Sequence, residues 1–412
     1  MTKSTYNSTL TLFLSLFIIS GCATPLPSTY NVTGNAGVID GPILALAGDG
    51  NLVAAVNSDG LFIKSADGPW VNQEVPGISR FSRVTCLAVD GGTIYLGTEG
   101  EGLHILSEGT WEVKTSRYGG FPDDDVLSIA IDGVDEGLPG KTVWVGTGKG
   151  ISAFKDGSWT IYKPESDWLV AMIGKTGSGS GKVFVARGFK LGAKGDDSSK
   201  FKPPVSAISV GPDQVVFGNR NSGLAIVNEN SVAIFKLGGE HKFSHLEMDG
   251  GVIWAGTDAG LLWGGLRGHA EGKPWPTNRS YLQWSGTLFG SRDTRVFEYR
   301  WKLVGYNTAK IVGLEKRGSD VWVAHRAIGK GRHAIDRKRF SNEETELMTT
   351  DPITDIRRYV NIDEYIARKQ RAQHESYGSG DNIRGEPTAL YVGPDGRKVW
   401  IGTTKGLWEL EQ

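Results

Sequence analysis

Cysteine is scarce in this chain, with only Cys22 and Cys86 among 412 residues. The disulfide framework typical of small secreted domains is therefore excluded. A chain of this length can instead bury a core large enough to stand without cross-links. An excess of one charge is also lacking, because 45 Lys and Arg are matched by 46 Asp and Glu for a formal net charge of −1. No overall field favours a polyanion, and we expect no nucleic-acid partner.

Linear signatures of catalysis are missing as well. The sequence has no nucleophile elbow, no zinc signature and no paired-carboxylate motif. Cys86 lies in an alternating apolar segment, 84–89, which predicts a buried strand thiol and not a nucleophile. We therefore expect no catalytic residue, no cofactor and no metal site. An enzyme whose groups converge from distant segments is left open, because such a site would have no linear motif.

Long apolar runs are absent except at the N-terminus. Lys3 precedes an apolar stretch from Leu10 to Ile19. That stretch is too short to cross a bilayer, which takes about 20 apolar residues in a helix. A charged start and a short apolar middle are typical of a cleaved secretory signal peptide, here residues 1–21.

The segment Ile19-Ser20-Gly21-Cys22 resembles the lipobox of bacterial lipoproteins. The resemblance implies cleavage before Cys22, lipidation of its thiol and attachment to a membrane through several acyl chains. Residues 22–28 then form a tether. Ala23, by resemblance to enterobacterial lipoproteins, implies an outer-membrane lipoprotein that faces the periplasm, with exposure at the cell surface left open.

A repeated phrase runs through the rest of the chain. It reads hydrophobic, aromatic, hydrophobic, Gly, Thr, followed after a short gap by Gly and a hydrophobic residue. Clear copies begin the segments 94–103, 143–151, 253–261 and 399–407. Weaker copies occur at 53–61, 184–187, 216–224 and 322–325. Each is preceded by an alternating apolar segment and a Gly or Asp turn, which predicts a hairpin.

Units of four strands that recur about every 40 residues predict an all-β fold with a single β-propeller. We expect eight blades, within a range of seven to nine, over residues 29–412. The ninth unit would lie at 287–301. The chain ends on a third strand, so residues 29–38 should supply the missing outer strand and close the ring. One segment, about 341–386, carries no repeat and predicts a helical insertion that starts at Asp351 and Pro352.

The repeated phrase resembles the two-component regulator propeller repeat, from about Ile43 to the C-terminus. In that family the repeats form periplasmic sensor regions of hybrid histidine kinases, and the resemblance implies a ligand or partner that is often a glycan. This chain departs from the family because it has no kinase and no transmembrane helix after the repeats. We therefore expect it to bind without signalling through its own chain.

Aromatic side chains at a fixed place in every repeat should fill the gap between neighbouring sheets, with the following glycine allowing close approach. We expect the following aromatics to be core residues and not ligand cages: Tyr95, Trp144, Trp254, Trp322 and Trp400.

Loops from second to third strands and loops between blades should share one face of the propeller, the rim. The sequence places there Glu99, Glu101, Lys149, Arg187, Asn219, Arg220, Asp258, His325, Arg326 and Lys405. We expect this rim to bind a protein or glycan partner, which makes the chain a membrane-anchored binding or scaffold propeller. A toxin-neutralising immunity lipoprotein and a glycan lyase or hydrolase are the alternatives.

Overall fold

The structure is a computed structural model, and it describes a defined set of segments. They are residues 31–65, 68–118, 121–132, 141–162, 171–173, 183–185, 203–211, 214–221, 223–228, 232–236, 241–249, 252–268, 282–287, 296–303, 309–317, 320–327, 334–339, 373–378 and 383–411. Cys22, the signal peptide, the tether, Arg187 and the predicted helix at 351–372 lie outside the described residues. Within them there is no α-helix, and a single 3-10 turn covers Phe81–Arg83.

The described strands form antiparallel sheets, and in most of them neighbours along the chain pair in turn. Sheet I contains β2 (Ala45–Gly48), β3 (Leu52–Val56), β4 (Leu61–Ser65) and β5 (Val71–Gln73). Sheet II contains β6 (Val84–Asp90), β7 (Thr93–Thr98), β8 (Leu103–Ser107) and β9 (Thr110–Lys114). Sheet III contains β10 (Val126–Ile131), β11 (Val143–Thr147), β12 (Ile151–Lys155) and β13 (Ser158–Tyr162).

The later sheets follow the same plan with additions. A two-stranded sheet, β14 (Ala171–Ile173) and β15 (Val183–Val185), precedes sheet IV, which contains β16 (Val205–Val210), β17 (Gln214–Asn219), β18 (Gly223–Asn228) and β19 (Val232–Lys236). Sheet V has five strands: β20 (Phe243–Asp249), β21 (Val252–Thr257), β22 (Gly260–Gly268), β23 (Leu282–Thr287) and β24 (Val296–Leu303). Sheet VI contains β25 (Ala309–Arg317), β26 (Asp320–Ala327), β27 (Ala334–Arg339) and β28 (Gln373–Gly378).

Sheet VII is built from both ends of the described chain. It contains β29 (Pro387–Val392), β30 (Lys398–Thr403) and β31 (Gly406–Glu411), and its outer strand is β1 (Asn31–Asp40). Asn31 pairs with Glu411 and Asp40 with Gly406. The prediction that an N-terminal segment completes the last sheet is confirmed, with the strand two residues later than the predicted 29–38.

The first strand of each sheet contacts the first strand of the next, which places the sheets in a ring. Polar contacts mark most of the junctions: Thr85 Oγ1 donates to Val126 O, Ser128 Oγ to Val205 O (3.1 Å), Ser206 Oγ to Phe243 O (2.6 Å), Ser244 Oγ to Ile311 O (3.1 Å), Arg317 Nε to Val392 O (3.0 Å) and Ile43 N to Thr403 O (3.0 Å). Sheets I and II share an apolar cluster that includes Val56 and Val84. The all-β propeller fold is therefore confirmed.

The core lies between the sheets. All five residues of β11 are buried, because this second strand is covered on both faces, whereas every residue of the outer strand β9 is exposed or half-buried. Trp144, Trp254, Trp322 and Trp400 are buried and Tyr95 is half-buried, as expected for aromatics that fill the gaps between sheets. Trp144 of sheet III meets Phe217 of sheet IV edge-on, with ring centroids 5.4 Å apart.

The glycine of the repeated phrase allows one sheet to approach the next, as predicted. A Cβ built on Gly146 would lie 2.6 Å from the carbonyl oxygen of Val205 in the next sheet. A Cβ on Gly256 would lie 2.6 Å from Ile311 Cγ2. Both distances are far below van der Waals contact, so a side chain here would force the sheets apart.

Eight complete blades are not confirmed, since the described residues form six sheets of four strands, one of five and one of two. The unit predicted around Phe184 appears there only as β14 and β15. Sheets III and IV touch directly through Ser128 and Val205, so this hairpin does not separate them. The ninth unit considered near 287–301 is also not a separate sheet in the described residues, because β23 and β24 belong to sheet V.

The prediction of a helical insertion at about 341–386 is wrong for residues 373–378. Residues Gln373–Gly378 form strand β28, which pairs with β27 as the outer strand of sheet VI. The sheet needs a fourth strand, and this segment supplies it in spite of lacking the repeated phrase. No helix of the described residues is long and apolar enough to span a bilayer.

Candidate interaction rim

Some of the loops predicted to share one face are hydrogen-bonded to each other. Gly100 N and Gly102 N, in the loop after β7, donate to Asp124 O at 3.2 and 3.0 Å, and Asp124 lies in the connection from sheet II to sheet III. In sheet VII, Thr404 N donates to Glu386 O at 2.9 Å. The loop between second and third strands is thus hydrogen-bonded to the segment that enters a first strand, and together these loops form the rim.

The threonine of the repeated phrase holds each rim loop in shape. Thr147 Oγ1 donates to Gly150 O at 2.9 Å and accepts from Lys149 N at 3.3 Å. Both bonds recur at Thr257 and Thr403, and Thr98 Oγ1 likewise donates to the carbonyl oxygen of Gly102. Sequence reasoning gave this threonine no role, although its fixed place three residues after the aromatic is visible in the repeat.

Two of the predicted rim residues are buried in equivalent positions and are not displayed. Asn219 takes the place of the threonine in sheet IV, where its Oδ1 accepts from Asn221 N (2.8 Å) and Gly223 N (2.7 Å). His325 pairs with Ile311 as Thr98 pairs with Val84, and it is also buried. The expectation that the rim presents these two side chains is wrong, because both are buried at the position that the repeated threonine occupies in other sheets.

Four predicted rim residues are engaged with neighbouring groups. Glu101 accepts from Ser79 and lies 3.8 Å from Arg83, and the Lys149 ammonium lies 2.9 Å from Asp123. The Asp123 carboxylate beside it raises the pKa of exposed Lys149. The other two contacts are Asp258 Oδ1 accepting from Lys242 N at 3.0 Å, and Arg326 Nε lying 3.4 Å from Glu386 Oε2.

Besides Lys149, three predicted rim side chains are exposed, those of Glu99, Arg220 and Lys405. They lie in sheets II, IV and VII, and their charges are mixed. Arg187 lies outside the described residues. The predicted set is therefore brought to one face of the propeller in part, as a ring of fixed loops and not as a cluster around one point.

The acidic run Asp123 to Asp125 organises the rim between sheets II and III. Asp124 Oδ1 accepts from Ser116 N at 2.5 Å and its Oδ2 from Ser116 Oγ at 3.0 Å. Asp125 O accepts from Gly148 N at 2.9 Å. In the described part of the chain, no group of three or more His, Cys, Asp or Glu is arranged to hold a metal ion.

Sequence reasoning missed an exposed aromatic in the same connection. The Tyr118 side chain is 79% exposed, and the Arg117 guanidinium carbon lies 5.1 Å from its ring centroid. The available signal was an arginine and a tyrosine in a polar loop outside the repeated phrase.

Burial shifts the pKa of several titratable groups inside the sheets in the direction that favours their neutral form. Desolvation raises the pKa of Cys86 to about 12, and it lowers the pKa of His245 to about 4. Desolvation also raises the pKa of Glu247 in sheet V and of Glu315 in sheet VI, and repulsion from the Glu315 carboxylate raises the pKa of Glu247 further. These groups lie on first strands and not on the rim.

Comparison with solved structures agrees with the fold. The WD40 β-propeller domain of Doa1 matches with a TM-score of 0.50 and 11% identity over 93% of this chain and 97% of that chain. The C-terminal WD40 domain of Sif2 gives a TM-score of 0.49 and 10% identity over 93% and 99%. No family model and no curated protein sequence matches the chain. The chain is thus a β-propeller, and its resemblance to the two-component regulator propeller repeat is not confirmed.

Proposed function

We propose that this chain is a lipid-anchored β-propeller that binds a partner, protein or glycan, through its rim. The observation that carries the proposal is the state of the rim side chains. Charged residues are held by partners in neighbouring rim loops, as Lys149 is by Asp123, and exposed groups of both signs remain at Glu99 and Lys405. A pre-shaped surface of mixed charge is typical of recognition, whereas catalysis needs titratable groups that converge in a pocket.

The finer parts of the proposal rest on the sequence. They are lipidation at Cys22, location at the outer membrane facing the periplasm, and kinship with the two-component regulator propeller repeat. The lipobox-like segment supports the first two, and the four clear copies of the repeated phrase support the third.

We further propose that the chain is not an enzyme. The Cys86 thiol, with a pKa of about 12, remains protonated at neutral pH and is a poor nucleophile. His245, with a pKa of about 4, is neutral at pH 7 and lies between two sheets, where its Nδ1 is hydrogen-bonded to Ser244 Oγ at 3.1 Å.

Binding at the rim is tested by photo-crosslinking in the cells that produce the protein. A photoreactive benzoylphenylalanine is placed at rim positions 99, 220 and 405, and at positions 71 and 161, which are exposed on outer strands. We expect adducts from rim positions and not from outer-strand positions. Equal labelling from both sets would contradict a binding rim.

The anchor is tested separately. Cys22→Ala should abolish incorporation of a labelled fatty acid and release the protein from the membrane fraction, because lipidation needs that thiol. Label retained by the variant would refute lipidation at Cys22.

A further inference from the structure

The connection between sheets II and III is fixed at several points. Asp124 holds Ser116 through two hydrogen bonds, and Tyr118 N donates to Thr115 Oγ1 at 3.1 Å. At the far end, the Phe121 side chain is buried against Trp159 with ring centroids 4.8 Å apart. The backbone that carries Arg117 and Tyr118 is therefore ordered before any partner arrives.

This fixed loop nevertheless leaves a large aromatic in solvent. Tyr118 is the most exposed large hydrophobic side chain in the described residues, at 79%. Val71, Val113 and Ile161, the other three, lie on outer strands and are 36–52% exposed. A tyrosine on an ordered loop loses little entropy on binding and offers a large contact area, which is why tyrosine and arginine are enriched at the centres of protein interfaces.

The charges around Tyr118 indicate what it would meet. Asp123 is paired with Lys149, Asp124 is hydrogen-bonded to Ser116, and Glu101 is paired with Arg83. Arg117 makes no ion pair within the described residues and instead lies over the Tyr118 ring. The charges nearby are of both signs, so selectivity would come from the planar guanidinium, which binds a carboxylate through two parallel hydrogen bonds.

We propose that Arg117 and Tyr118 form the contact centre of the rim for a protein partner that presents a carboxylate beside an apolar side chain. The carboxylate binds the Arg117 guanidinium while the apolar group packs on the Tyr118 ring. This inference rests on the proposed binding function of the rim and names the chemistry of its partner.

The test places the photoreactive residue at position 118 of the full-length protein in its native cells. We expect one discrete protein adduct, absent when the same residue is placed at position 113, an exposed site of the neighbouring outer strand β9. Arg117→Gln should reduce the adduct about tenfold, the equivalent of one charge-assisted contact, and Arg117→Lys should reduce it less. Mass spectrometry of the adduct should locate an Asp or Glu next to an apolar residue at the crosslinked segment.

Each other outcome has a defined meaning. Adducts from positions 99 or 405 without one from 118 would overturn this inference and leave the binding rim in place. No adduct from any rim position would defeat both. An adduct that is a glycan, or one unchanged by Arg117→Gln, would overturn the inference as well. Because Arg117 is exposed, a melting temperature equal to that of the wild type verifies that Arg117→Gln is folded.

Discussion

The junction of sheets II and III and the junction of sheets V and VI share one register but are filled differently. In sheets II and III a small residue of the first strand lies opposite the aromatic of the repeated phrase, and at the junction of these two sheets Ala88 lies opposite Tyr95. In sheets V and VI the same place holds a carboxylate: Glu247 lies opposite Trp254 and Glu315 opposite Trp322. The first junction is apolar, whereas the second contains two carboxyl groups whose pKa is raised by burial.

The difference shows that the repeated phrase determines the geometry of a junction but not its chemistry. The phrase lies on second strands, while the residues that differ lie on first strands. The junction of sheets V and VI contains two carboxyl groups, those of Glu247 and Glu315. The Arg317 guanidinium lies 2.7 Å from Glu315 and balances the charge of that group. Burial penalises a charged carboxylate without a partner, which raises the pKa of both acids.

The largest change should come from removing the strand that joins the two ends of the ring. Deletion of residues 31–38 removes most of β1 from sheet VII, which lies between the charged half of the ring and sheet I. Each lost hydrogen bond costs about 0.5–1.5 kcal/mol, so the sum over the strand should exceed the effect of any single side chain. Thermal unfolding of the truncated protein measures this loss. A transition that matches the full-length protein would mean that sheet VII does not need β1.

The next effect tests whether the two junctions are mechanically alike. Trp144→Ala and Trp322→Ala each remove a buried wedge, one at the junction of sheets III and IV and one at the junction of sheets VI and VII, and each should cost about 3–5 kcal/mol in the free energy of unfolding. Urea unfolding gives both values. If Trp322→Ala lowers the free energy of unfolding much less than Trp144→Ala does, the carboxyl group opposite Trp322 weakens the packing of that side chain. The two junctions would then differ in packing energy as well as in chemistry.

Much of this comparison was predictable from the sequence, for a physical reason. The second strands carry their aromatic and glycine at fixed spacing, because every second strand meets the same steric demand, and so the fold, the buried tryptophans and the closing strand follow from the pattern. The outer strand β28 carries no phrase, since an outer strand packs on one side only, and its segment was taken for part of a helical insertion.

The rim was less predictable, because the sequence indicates that a residue lies in a loop but does not give its hydrogen-bond partners or its burial. Asn219 and His325 were expected in solvent and are buried, because their position supports the turn. Tyr118 and Arg117 were missed because they lie outside the repeat. The pairing of Glu247 with Glu315 joins residues far apart in sequence, and only the ring brings them together.

The third prediction concerns pH and separates the two junctions directly. Burial, together with repulsion from Glu315, raises the pKa of Glu247 above its ordinary 4.5, while Lys316 and Arg317 on β25 oppose the rise. Because the pKa is raised in the folded state, the protonated Glu247 contributes its full stability below about pH 4.5. This contribution is lost as the pH rises through the raised pKa. Glu247→Gln should therefore become more stable than the wild type as pH rises.

The measurement is the free energy of unfolding between about pH 5 and pH 9. We expect the advantage of Glu247→Gln to grow by more than about 1.4 kcal/mol, the equivalent of one pKa unit. Glu112→Gln is the matched control, because the Glu112 side chain is 60% exposed and lies on the outer strand of sheet II. If both variants follow the wild-type profile in parallel, the carboxylate pair does not set the pH dependence.

The smallest expected effect tests whether the apolar junction leaves stability independent of pH in the same range. Cys86 pairs with Gly97 as His245 pairs with Gly256, so the two residues occupy the same place in sheets II and V. Desolvation keeps the thiol neutral by raising its pKa from 9.0 to about 12, and only the thiolate reacts with iodoacetamide. At pH 8 the folded protein should therefore react on the order of a thousandfold more slowly than the same protein in urea, as measured by mass spectrometry. Cys86→Ala should leave the pH profile of stability unchanged. If the folded protein is labelled as fast as an unfolded thiol, water reaches this junction. The junction of sheets II and III would then not be the apolar counterpart of the junction of sheets V and VI.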